Sequence, residues 1–177
     1  MGQEESMFKF FLRWLDSWSL LNSSESNVIK TSKAIKDTQV QWLRIVPFIL
    51  LHIACLAVFW VGVSWFSVAF MLAFYLIRMF AITGFFHRYL AHKTFQTSRP
   101  VQFFFLLIGT MSAQRGPLWW AAHHRYHHRF TDTEHDPHSS QHGFWYSHVG
   151  WFLNDQNFFT RKEVIKDWLK FPEIVWL

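Results

Sequence analysis

Residues 45–92 read IVPFILLHIACLAVFWVGVSWFSVAFMLAFYLIRMFAITGFFHRYLAH, and this stretch decides the fold. From Ile45 to Phe86 it is almost wholly apolar, and it runs straight into His87 and His92. A single helix over the apolar part would reach ~63 Å at 1.5 Å per residue, about twice the hydrocarbon thickness of a bilayer. The segment must therefore turn. Gly62, Ser64 and Ser67 mark the break, which predicts a tight antiparallel hairpin of two spanning helices. Pro47 is placed in the opening turn of the first, where a missing N–H is tolerated. Gly84 is expected to let a neighbouring helix approach closely. His52 reads as a helix-packing group, Cys55 as a structural thiol, and Arg78 as a side chain that snorkels toward the headgroups.

The flanks give the orientation. Lys30, Lys33, Lys36 and Arg44 precede the hairpin, and Arg88, Lys93 and Arg99 follow it, so both ends are expected on the cytoplasmic side. Upstream, Phe8, Phe11, Leu12, Leu15 and Trp18 form one apolar face of an amphipathic segment lying on the membrane, joined by a polar linker over 22–40. The N-terminus lacks the pattern of a secretory signal. Downstream, Val101 to Met111 is too short to span and predicts a buried or half-inserted helix. Turn signals at Asp136-Pro137, Gly143 and Gly150 follow, then a short polar helix over Thr160 to Lys170. The expected architecture is all-α: an integral membrane helical hairpin plus cytoplasmic or interfacial helices. It divides into an N-terminal segment (1–44), the hairpin (45–92) and a C-terminal region (93–177).

Composition agrees with a membrane protein. Hydrophobic residues make up 51% of the chain and aromatics 20%, with 21 Phe and 11 Trp. The excess of 17 basic over 12 acidic residues has no single-face stripe or recognition motif, so it points to cytoplasmic flanks and anionic lipid, not nucleic acid. Cys55 is the only cysteine, which excludes an intramolecular disulfide and any cysteine-based zinc or iron–sulfur site.

The chemistry lies in the 11 histidines. In HHRYHH, His124, His127 and His128 are spaced i, i+3, i+4, which puts three imidazoles on one helical face. His123 pairs with His127 at i+4 and is an alternative upper ligand. In HRYLAH the two histidines are five apart, roughly 140° around an ideal α-helix, so that helix has to unwind for both to face one point. Without a crossing between the clusters they share one membrane side. An all-nitrogen set suits Zn, Cu, Fe or Ni, and five or more imidazoles exceed one tetrahedral zinc, which favours two ions. His135, His138, His142 and His148 are candidates for groups that orient ligands by hydrogen bonds, with Asp132, Glu134 and Asp136 as acceptors or helix caps. Trp119, Trp120, Trp145 and Trp151 suit an interfacial belt, with Trp119 and Trp120 alternatively walling a channel.

HRYLAH after an apolar helix, followed by HHRYHHRFTDTEHDPHSSQHGFWYSHVGW, resembles the membrane-bound fatty acid desaturases, nearest the stearoyl-CoA (delta-9) type in its bacterial form. The resemblance covers roughly Val46 to the C-terminus. It implies that His87 and His92 form a first histidine box and His124, His127 and His128 a second, ligating a di-iron centre. His123, Asp136, His138, Trp119, Trp120 and Arg78 are the supporting or substrate-contact candidates. His123 stands where the animal acyl-CoA enzymes carry an acidic residue, and Ala122 where they carry a basic one, so the carrier is either acyl-CoA or acyl-lipid. The implied reaction places a cis double bond in an acyl chain at the expense of O2, with electrons from a ferredoxin or cytochrome-type donor. Family members continue past the equivalent of FPEIVWL into two further spans and a third histidine box. The resemblance therefore implies the N-terminal half of a desaturase, inactive by itself. The alternatives are another histidine-box membrane hydroxylase or a non-catalytic membrane metal-binding fragment.

Overall fold

The structure, a computed structural model, describes residues 42–177, with side chains from Ile45 onward. The amphipathic face and linker expected upstream lie outside the described residues. Among those described, every regular element is helical and there is no β-strand.

Helix α1 (Trp42–Cys55) is followed by a turn and a short helix α2 (Val58–Val61). Pro47 lies inside α1 and not in its opening turn, because the helix already begins at Trp42. The expected break falls at Gly62–Ser64. Gly62 adopts φ 78°, ψ −178°, a region essentially closed to residues with a Cβ. Ser64 then caps α3 (Trp65–Phe80), its hydroxyl accepting from the Ser67 N–H at 3.1 Å. That cap starts the long helix cleanly.

α3 does not stop at Phe80. It continues as a π-helix over Ala81–Ala91, and the combined 27-residue helix Trp65–Ala91 is long and apolar enough to cross a membrane. The preceding apolar helix, Ile45–Val61, is shorter. Phe59, Trp60 and Trp65 are 80%, 82% and 89% exposed, a large apolar surface around the break.

The core sits beneath the π-helix. Phe86 and Leu90 are fully buried against Leu106 of α4 (Arg99–Thr110) and the small Ala121 and Ala122 of α5 (Pro117–Phe130). Pro100 and Pro117 open α4 and α5, where a missing N–H costs nothing. The close helix approach expected at Gly84 occurs at Gly109 instead. A Cβ on Gly84 would meet only Phe80 of its own helix at 3.4 Å, whereas one on Gly109 would strike the Phe86 ring. After α5 the chain is a series of short helical segments and turns, ending in α6 (Pro172–Trp176). A π-helix over Tyr146–Gly150 runs into Trp151–Leu153, so Gly150 lies within a helix and not at the turn expected there. In place of the helix expected over Thr160 to Lys170 there is one 3₁₀ turn, Lys162–Val164, and further turns. Ile165 and Trp168 are buried there, so tertiary contact fixes a segment too short to hold a helix alone.

Candidate metal centre

The π-helix resolves the awkward spacing of the first box. Its i→i+5 hydrogen bond, from the His92 N–H to the His87 carbonyl at 3.0 Å, stacks residues five apart along one face. His87 and His92 consequently meet, Nε2 to Nε2, at 3.0 Å. From α5, the His124 Nε2 lies 3.0 Å from that of His92, and the His128 Nε2 lies 3.0 Å from that of His124. The four ring nitrogens all fall within 4.8 Å of one another.

Hydrogen bonding does not account for this cluster. An imidazole Nε2 has one in-plane position, either a proton or a lone pair, yet the Nε2 atoms of His92 and His124 each face two others. A cation at the common point satisfies all four. With metal–nitrogen bonds of about 2.1 Å, neighbouring nitrogens stand about 3.0 Å apart in an octahedral site and about 3.4 Å in a tetrahedral one. The 3.0 Å separations and the 4.8 Å span are short enough for all four nitrogens to reach one such ion. Burial, followed by the charge of neighbouring histidines, holds His92 below the ordinary imidazole range and takes His124 down to about 3. Both rings are therefore neutral with lone pairs available, as ligation requires.

His127 leaves its expected companions. It turns to the DPH segment, where its Nδ1 donates to Asp136 at 2.9 and 3.0 Å and its ring stacks on His138 with centroids 4.1 Å apart. A carboxylate only accepts, so Nδ1 carries a proton, and in the neutral ring Nε2 is then the nitrogen with the lone pair. Asp136 is buried and also accepts from the backbone N–H groups of Asp132 and His138. Burial alone would raise its pKa, but these hydrogen bonds prevail and lower it. His127, Asp136 and His138 are close enough to form a second metal-binding group. The carboxylate is already committed to three hydrogen-bond donors, so it serves better to orient His127 than to bind an ion.

The supporting residues divide unevenly. Trp120 stacks on His124 with centroids 4.9 Å apart, its indole N–H held by Gln114. Trp119 is buried, donates to the Asn157 carbonyl and stacks on Trp151. All three tryptophans line one cavity, as the alternative reading of Trp119 and Trp120 as channel walls expects, whereas Trp145 is 77% exposed. His123 takes no part in the cluster. Its Nδ1 donates to the Trp119 carbonyl at 3.0 Å, and its Nε2 is buried without a partner. Arg78 turns back on its own helix, donating to the Phe74 carbonyl. His135 and His142 remain on the surface.

A cavity of about 580 Å³ opens beside both histidine groups, touching His124 and His138. Phe48, Leu51, Trp119, Trp120, Phe152 and Phe158 make it mainly apolar, while Ser112 adds a buried hydroxyl without a partner. His52 and His148 also line it, each with Nδ1 tied to a carbonyl one turn back at 2.8 Å. The sequence reading of His52 as a packing group missed this, because only the return of α1 over the Phe152 region (Phe48–Phe152 centroids 5.5 Å) brings it here.

Fold and site together define a multi-histidine cluster able to hold a metal ion at the end of a long apolar helix. No protein-family model matches the chain. It is 41% identical over 117 residues to the sn-1 stearoyl-lipid 9-desaturase of Anabaena variabilis, covering 65% of this chain and 43% of that protein. It is 31% identical over 152 residues to the enzyme of the same name from Synechocystis sp., covering 85% and 45%. With the icosanoyl-CoA 5-desaturase of Limnanthes douglasii it shares 39% identity over 118 residues, 66% and 33% of the two chains. Over the region matched, the chain belongs to the fatty acid desaturase family, with delta-9 enzymes among its relatives. It spans less than half the length of these relatives.

Proposed function

We propose that this chain carries the histidine-box region of a membrane fatty acyl desaturase that introduces a cis double bond at the delta-9 position of an acyl-CoA or acyl-lipid, with O2 as co-substrate. The convergence of His87, His92, His124 and His128 on one point carries the reading. These four would hold one iron, and His127, aimed by Asp136, would offer its Nε2 to a second. Iron, when bound, supplies the oxygen activation that breaking an unactivated C–H bond requires. The protein's own part is to orient and exclude. Trp120 fixes the His124 ring, and the apolar cavity walls have a size suited to hold one stretch of an alkyl chain beside the histidines and keep water out. Electrons would come from a ferredoxin or cytochrome-type protein.

In the membrane, Trp65–Ala91 would cross as one arm of a hairpin and Ile45–Val61 as the other. Both histidine boxes would then lie on the cytoplasmic side of a multi-pass protein. The division at 44 and 92 follows from that topology. The test is iron analysis of the purified chain alongside gas chromatography of fatty acids from desaturase-deficient cells expressing it. Iron that copurifies and is lost in His92→Ala and His124→Ala is the expected result, whether or not a new monounsaturated product forms. Iron content indifferent to both substitutions would overturn the reading.

A further inference from the structure

We infer that Arg125, between the two histidine pairs of HHRYHH, is a positioning residue that ties the first box to the second. This rests on the reading of the four converging histidines as a metal site. The carbonyls of Leu90 and Ala91 stand at the end of the π-helix, where the chain leaves through Lys93 at φ 55° and the helix supplies no further N–H donors to them. Arg125 takes both. Its Nε donates to the Ala91 carbonyl at 2.9 Å and its Nη2 to the Leu90 carbonyl. Nη1 donates to the Val164 carbonyl at 3.0 Å and to Asp167 at 2.8 Å, and Nη2 reaches the other Asp167 oxygen at 3.1 Å.

These contacts use all five N–H groups of the guanidinium. Arg125 is adjacent to His124, and the carbonyls it holds immediately precede His92. One rigid planar fork thus sets the distance between the two boxes. Two further groups reinforce it: the Trp168 indole donates to the Leu90 carbonyl at 2.9 Å, and Lys93 pairs with Asp167 at 2.6 Å. A lysine at position 125 would keep the charge, but its three donors on a flexible stem cannot reproduce the fork.

The experiment is a Co2+ titration of the metal-free full chain in detergent, read by the cobalt ligand-field bands, for the unsubstituted protein, Arg125→Lys and Asp167→Asn. Far-UV circular dichroism and the apo melting temperature report folding. Expected is a 10–100-fold weaker cobalt affinity in Arg125→Lys, with altered band positions and retained helicity, since groups that orient ligands have effects of about this size. Asp167→Asn keeps the shape but weakens the clamp, so it falls between the two and serves if Arg125→Lys does not fold. A lower apo melting temperature with unchanged cobalt affinity and bands would make Arg125 merely structural and overturn the inference. Failure of the unsubstituted chain to bind cobalt through its histidines would remove the metal centre and the inference together.

Discussion

Gly109→Ala offers a direct probe of how the core supports the metal centre. A Cβ built on Gly109 would lie 2.7 Å from Cζ and 2.9 Å from Cδ1 of Phe86, and nearer still to Cε1. Ordinary carbon contacts are about 3.5–4.0 Å, so the ring must move by roughly 1 Å or more. It has little room, being fully buried among Leu106 and its neighbours, and the next residue is His87. Two effects compete. Alanine in a helix interior is intrinsically better than glycine by about 1 kcal/mol, whereas overpacking a filled core costs about 1–3 kcal/mol. The clash should win, leaving a net loss of up to about 2 kcal/mol and weaker metal binding. Phe86→Leu shortens the ring out of the way, so in that background Gly109→Ala becomes neutral or stabilising by up to about 1 kcal/mol. Denaturant or thermal melts of the four combinations, with cobalt affinity measured in parallel, complete the cycle. Equal costs of Gly109→Ala in both backgrounds would refute the argument that the glycine exists to admit Phe86.

Three other outcomes are expected. Asp136→Asn removes the charge that aims His127 and should weaken metal binding or turnover by about 10–100-fold while His87, His92, His124 and His128 still bind one ion, which metal stoichiometry checks. Burial takes His123 down to about 3, so below about pH 6.5 the unfolded chain gains a proton there that the folded chain does not. Stability is therefore lost as pH falls from about 6.5 toward 3, by about 2 kcal/mol at pH 5 from this residue; acid melts of His123→Phe should show a shallower slope. For topology, single cysteines at positions 35 and 95 in a Cys55→Ser background should be labelled from the same, cytoplasmic side by an impermeant thiol reagent; opposite sides would break the hairpin.

Much of this protein was legible before any fold was known. The apolar length of 45–86 required a break, and Gly62 and Ser64 supplied one whose geometry is local: a backbone conformation open to glycine and a serine cap. The helix carrying HHRYHH, and the facing of His124 with His128, follow from the α period. Tertiary structure decided the rest. The five-residue spacing of His87 and His92 signalled that an α-helix would not serve, but only packing against α4 and α5 accompanies the π-helix that brings them together. His127 shares the helical face of His124 in sequence, yet a buried carboxylate from a later turn claims it. Nothing in the local sequence singles out Arg125, because its four partner residues, Leu90, Ala91, Val164 and Asp167, lie 34–42 positions away. Local periodicity fixes which side chains share a face; which of them meet depends on contacts between distant segments, and these are set by burial and by the need to satisfy buried polar groups.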